Sequence, residues 1–265
     1  MKITLDLSKS IEENASAYFE KAKKLKKKSE KIKLILERYE KELKEEHKKA
    51  KEREARVKKP KKEKKWYEKF RWFISSEGFF VIAGRDATTN EIIIKKHLEP
   101  KDIVFHTDIA GSPFAVVKSE GKDIGEQTLN ETAVFTAVFS KGWKSGMSSM
   151  KVFYVFPDQV SKEAQPGEYI NKGSFMIRGK KNYIDAVLEI YVGINQEQIL
   201  MAGPKPAIEK NCENYIRIVQ GRKKKSDVAK KILKLLGYEE LDDAVSILPE
   251  SLDIDLKRSK LAKAN

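Results

Sequence analysis

Cysteine, histidine and long apolar runs are all scarce in this chain of 265 residues. A lone Cys212 excludes a disulfide framework, and its distance from any Cys/His cluster leaves no zinc-type spacing, so no metal or cofactor is expected. A reducing, cytoplasmic setting fits that usage. No stretch approaches the roughly 20 apolar residues of a membrane span, and the opening residues lack the roughly 7–15-residue apolar core of an export signal. A soluble chain with no membrane partner follows. Also missing are G-x-x-x-x-G-K-[ST] and a strand-linked G-x-G-x-x-G, which argues against nucleotide hydrolysis and dinucleotide binding.

Charge is abundant and unevenly placed. The formal net charge is +14. Residues 20–65 hold 22 Lys and Arg against 10 Asp and Glu, a net +12, whereas residues 1–19 carry −1 and the other 200 residues only +3. A nearly neutral domain behind a strongly positive arm is steered toward phosphate-rich partners, although Lys/Glu-rich helices can also be merely solvated.

The arm reads as one long helix. Ile11, Ala15, Tyr18, Ala22, Leu25, Ile32, Leu36, Tyr39, Leu43 and Ala50 recur in steps of four and three, interrupted by Ser29 and Glu46. That narrow seam is a coiled-coil pattern and needs a partner helix, either a second copy in a dimer or a segment outside this chain. The run Lys58–Lys65 then breaks the helix at Pro60 and sets a domain boundary. The expected organisation is a coiled-coil arm over 1–58, a basic linker over 59–65, an α+β domain over 66–221, and a basic helical extension with a tail over 222–265.

Within the domain, short β-branched or aromatic runs predict strands at 71–75, 79–83, 91–96, 102–107, 114–118, 150–156, 187–194 and 215–221. Short Gly- or Pro-bearing links suit antiparallel pairing in one sheet. A helix over 128–140 covers it, and a second begins at a Ser226 cap and stops at Gly237. Residues from Ser251 onward are expected to be a loose tail. The fold class is therefore α+β: a mostly antiparallel sheet with covering helices, preceded by a long coiled-coil helix.

Three segments carry candidate chemistry. In Ala83–Glu91, Arg85 could clamp a phosphate with Asp86 orienting it and Asn90 beside it, or Arg85 and Asp86 could simply cap a hairpin. In Phe105–Phe114, His106 and Asp108 stand two apart at a strand end, where they could touch RNA, fill a structural role or, with Glu91, form an acid/base or metal site that no accompanying motif supports. In Val160–Tyr183, Lys162, Tyr169, Arg178, Lys180 and Lys181 mix cations with aromatics, the ingredients of contact with single-stranded or loop RNA. Lys95 and Lys96 add basic contacts to the first segment. No catalytic residue is assigned.

The stretches WYEKFRWFISSEGFFVIAGRDATTNEIIIKKHL, DIVFHTDIAGSPFAVVK, TLNETAVFTAVFSKGW and QVSKEAQPGEYINKGSFMIRGKKNY resemble, in register and order, the RNA-binding NFACT-R domain of the ribosome quality-control NFACT proteins, of the archaeal type. Upstream, residues 3–33 resemble the second coiled-coil arm of that family. The resemblance implies that the chain is the C-terminal half of a longer protein, whether an expressed fragment or a split gene product, with an NFACT-N domain, a helix-hairpin-helix segment and a first arm preceding it. It further implies tRNA and rRNA as ligands and a large ribosomal subunit holding an obstructed peptidyl-tRNA as partner. The implied role is support of mRNA-independent C-terminal tailing of the stalled nascent chain, with the ribosome making the peptide bond. Two positions depart from the family pattern: Ala110 stands where many members have a second His, and Thr107 where they have a small residue. Competing readings are a coiled-coil adaptor between proteins and an enzyme that cleaves or modifies RNA.

Overall fold

The computed structural model describes residues 3–57, 65–163 and 171–261, with the backbone only for 48–57. The chain divides into two units, Met1–Glu63 and Lys64–Asn265.

The first unit is dominated by α1 (Ile11–Val57). Its start is fixed by a reciprocal cap: the Glu13 amide donates to Ser10 Oγ at 3.1 Å and the Ser10 amide to Glu13 Oε2 at 2.8 Å. Asn14 folds the preceding turn onto the helix by accepting from the Asp6 amide and donating to the Asp6 carbonyl. The seam residues Leu25, Ile32, Leu36, Tyr39 and Leu43 are exposed.

The second unit contains, in chain order, β1 (Arg71–Ile74), β2 (Phe80–Ala83), α2 (Ala87–Ile92), a π-type turn Ile93–His97, β3 (Ile103–His106), β4 (Ala115–Lys118), α3 (Glu126–Val138), α4 (Lys141–Lys144) and β5 (Ser149–Val155). It continues with β6 (Val160–Ser161), β7 (Met176–Ile177), β8 (Asn182–Val187), β9 (Ile190–Asn195), β10 (Leu200–Gly203), α5 (Lys205–Asn211), β11 (Cys212–Lys223), α6 (Lys225–Leu236), α7 (Leu241–Ile247) and β12 (Leu252–Lys260). The α+β class is as expected, with strands paired antiparallel throughout. One expected sheet is instead a six-stranded sheet, β1-β2-β4-β3-β5-β8, a four-stranded sheet, β10-β9-β11-β12, and the small pair β6-β7. A continuous hydrophobic core includes Phe73, Val81, Val104, Val116, Val152, Val192, Met201 and Ile218. Helix α3 packs against the larger sheet, and its buried Thr128 and Glu131 are satisfied by the β1–β2 turn: Glu77 accepts from the Thr128 amide at 2.8 Å and Glu131 from the Ser76 amide at 2.9 Å. Among the described residues no helix is long and apolar enough to cross a membrane.

Four local expectations are corrected. The strand expected at 91–96 is helical, because Asp86 accepts from the Thr89 amide while Thr89 Oγ1 accepts from the Asp86 amide, a capping box that starts α2 and carries Ile93 into the core. The run expected as one strand at 187–194 contains the passage between the sheets, β8 ending at Val187 and β9 starting at Ile190. The N-cap of α6 is Lys224 rather than Ser226, whereas the stop at Gly237 holds, with φ of 70° in the left-handed region. Finally, the residues expected as a loose tail form β12, antiparallel to β11, with Leu252 fully buried and Trp143 Nε1 donating to the carbonyls of Glu250 and Ser251 at 2.8 and 3.2 Å.

Candidate functional site

Strand register decides which residues meet. Arg71 pairs with Ala83, Ala83 with Ala115, and Ala115 with Phe105, so the start of β1, the end of β2, the start of β4 and the end of β3 lie in one row across the sheet. Arg71, Gly84, Arg85, Phe114 and His106 consequently emerge at the same edge. They line a cleft of about 390 Å³ together with Asp86, Asn90, the turn Ala110–Pro113, Phe139 and Lys172–Phe175. Arg85, Asp86 and Asn90 of the first candidate segment and His106 of the second thus meet at one cavity, whereas from the third segment Lys172–Phe175 and Ile177 line it and Lys162, Arg178, Lys180 and Lys181 do not.

Each wall is built locally. The turn after β3 is fastened by the Thr107 and Ser112 hydroxyls, which bond to each other, and by Ser112 Oγ donating to the Ile109 carbonyl at 2.9 Å. Asn90 is buried and accepts from the Phe114 amide at 3.1 Å, joining α2 to β4. At Gly173, φ is +76° and an added Cβ would lie 2.4 Å from Ala87 Cα, so the Lys172–Phe175 segment can lie over the start of α2 only because that residue has no side chain.

Two arginines define the electrostatics. Arg71 Nη1 donates to the Gly84 carbonyl at 2.5 Å and its guanidinium lies 4.5 Å from the Phe139 ring. Arg85 Nη2 donates to the carbonyls of Glu68 and Phe70 at 2.8 and 2.9 Å. In both, Nε is buried without a hydrogen-bond partner. Burial, aided by the charge of Arg85, lowers Arg71 to about 10, and burial also lowers Arg85. Both stay cationic at neutral pH. The His106 ring stacks on Phe114 at 4.2 Å, and burial lowers its pKa, so it presents a neutral imidazole to the cleft.

Of the remaining sequence candidates among the described residues, Asp86 is the one in the cavity lining. Its carboxylate is committed to Thr89 as the cap of α2. Glu91 sits in a helix, not in the sheet, and pairs with Lys162 and Lys95 at 2.7 Å each; those two cations hold its carboxyl down to about 2. Lys162 Nζ also lies 5.3 Å from the Phe175 ring. Asp108 accepts from Lys181 at 2.7 Å and from the Tyr183 hydroxyl at 3.1 Å, and these bonds, the lysine's foremost, lower its pKa. Lys181 also stands over Phe153. Lys96, Arg178 and Lys180 are exposed; Arg178 Nη2 donates to the Glu163 carbonyl at 3.3 Å. Tyr169 lies outside the described residues. Among the described residues no group of three or more His, Cys, Asp or Glu could hold a metal ion.

Arg71, Phe139 and Lys172 were missed by the sequence reading. A signal existed for Arg71, a charged residue at the head of the otherwise apolar run RWFI. Phe139 gave none, because its position at the cleft follows from where α3 ends on the sheet.

Residues 69–179 match the family model described as NFACT protein RNA binding domain. The chain is 42% identical over 190 residues to the archaeal Rqc2 homolog aRqcH of Methanocaldococcus jannaschii, a match covering 70% of this chain and 28% of that protein. It is 45% identical over 120 residues to ribosome quality control complex subunit NEMF of Homo sapiens, covering 45% of this chain and 11% of that one. The chain therefore spans less than a third of the length of these relatives. A solved structure, the C-terminal of the fibronectin/fibrinogen-binding protein from Streptococcus suis, is similar at 16% identity and a TM-score of 0.39 over 49% of each chain, too slight a likeness to carry an argument.

Proposed function

Because the chain belongs to the NFACT family, we propose that it is an RNA-binding module of ribosome quality control. In this reading it works in the cytoplasm, gripping tRNA and rRNA on a large ribosomal subunit that holds an obstructed peptidyl-tRNA. It supports mRNA-independent C-terminal tailing of the nascent chain and is not itself an enzyme, since bond formation stays with the ribosome. The observation that carries the reading is the arginine-walled cleft inside the matched domain, where Arg71, Arg85 and Lys172 supply charge and Phe139 and Phe175 supply aromatic surface. Cations that hold phosphate and rings that stack on bases are the chemistry of RNA recognition. The positive arm adds a charge suited to a long phosphate backbone.

The test is titration of tRNA and of large ribosomal subunits with the chain across a salt series. Neutralising six or more phosphates should weaken binding about a thousandfold between roughly 50 and 200 mM salt. Binding indifferent to salt would sink the proposal. It would favour instead the second reading, a protein adaptor working through the exposed seam Leu25, Ile32, Leu36, Tyr39 and Leu43 of α1.

A further inference from the structure

The cleft is more selective than a basic surface. Its volume of about 390 Å³ falls at the low end of small-ligand cavities, roughly 300–1,000 Å³, which suits one nucleotide and excludes a helix. Its wall holds two guanidinium groups, Arg71 and Arg85, each anchored through one Nη nitrogen to main-chain carbonyls. For two arginines lining one cleft the matching ligand is an oxyanion with several lone pairs. Asp86, the carboxylate in the lining, makes its hydrogen bonds to the amide and hydroxyl of Thr89. The other lining groups are flat or small: the Phe139 ring beneath Arg71, the half-buried Phe175 set edge-on to Phe114 at 5.3 Å, and the small residues Ala110, Gly111 and Ser174 at the mouth.

We propose that the cleft takes a single unpaired nucleotide of the bound RNA, its phosphate between Arg71 and Arg85 and its base among Phe139 and Phe175. The inference rests on the RNA-binding reading above and deepens it. Paired bases are enclosed in their own stack, so a duplex can reach the basic surface but cannot enter; a splayed base can. His106, whose cation is disfavoured by burial, and Asn90 add uncharged polar groups to the same lining, groups that suit a base.

The experiment measures binding of the full chain to a labelled single-stranded oligoribonucleotide and to a blunt RNA duplex of equal length. Three proteins are compared: wild type, Ala110→Glu at the exposed mouth of the cleft, and Gln196→Glu, which adds the same charge on the exposed β9–β10 turn. Ala110→Glu should weaken single-strand binding by roughly tenfold or more, the loss expected when a stacked base and its phosphate are excluded. It should change duplex binding by no more than about twofold, as should Gln196→Glu for both ligands, with melting temperatures unaltered. Arg71→Gln provides an independent check: provided its melting transition is retained, it should lose more affinity for the single strand than for the duplex. Equal losses for both RNAs, or none, would overturn the nucleotide site while leaving general RNA binding intact. Displacement of the oligonucleotide by micromolar adenosine monophosphate would also overturn it, since the cleft would then be a free-nucleotide site. A wild-type chain that binds neither RNA would overturn this inference and the RNA-binding reading together.

Discussion

His106 is held against Phe114 in surroundings that disfavour its cation. Its folded pKa is therefore below the unfolded value of about 6.5. The contribution of the neutral ring to stability is complete above that unfolded value and is lost as pH falls from about 6.5 toward the folded pKa. His97, lowered mainly by burial, acts in the same window. A pH series of melting temperatures should decline below about 6.5, and His106→Gln should flatten that decline; an equally steep decline in the variant would show that the ring is not the titrating group. Arg178 and Lys180 are of the opposite kind, exposed and dispensable to the core. Replacing both by Ala should weaken tRNA binding and reduce the salt slope by up to about 2 if each meets a phosphate. Stability should move by no more than about 0.5 kcal/mol per residue. Unchanged affinity would remove this loop from the RNA surface.

At the scale of elements, the C-terminal strand matters most for the integrity of the second unit. β12 completes the four-stranded sheet and is pinned by Trp143, so the segment after Ser251 belongs to the fold. Leu252→Ala should lower the unfolding free energy by about 2–5 kcal/mol, as for a buried leucine elsewhere. Chemical denaturation checks it, and an unchanged midpoint would mean the strand detaches freely. The signal was present in the sequence, since Leu252, Ile254 and Leu256 alternate with Asp253 and Asp255. Its weakness is physical: only Leu252 is fully buried, and Leu256 faces solvent. The opposite mistake occurred at 91–96, where β-branched isoleucines imitated a strand and the short-range Asp86–Thr89 cap prevailed.

For the molecule as a whole, charge and core are segregated. The hydrophobic core lies in the second unit, while the +12 segment at residues 20–65 falls almost wholly in the first. Deleting residues 1–63 should leave the melting transition of the remaining chain within a few degrees of the parent. RNA affinity and its salt slope should both fall, because fewer counterions are released on binding. A truncated chain with an undiminished slope would place all phosphate contacts on the globular unit, and one that no longer folds would show that the arm supports the core.

The sequence by itself determined the long helix, most of the strands, the α+β class and the three segments from which the cleft is built. Periodicity, Gly and Pro punctuation and charge runs are local properties, written over a few consecutive residues. Only the tertiary structure decided that there are two main sheets, that the C-terminal segment closes one of them, and that Arg71 and Phe139 share a cavity with Arg85 and His106. Those outcomes depend on antiparallel register and on the packing of residues far apart in the chain. Arg71 meets Arg85 because β1 lies beside β2 in a particular alignment, and no window of sequence contains that alignment.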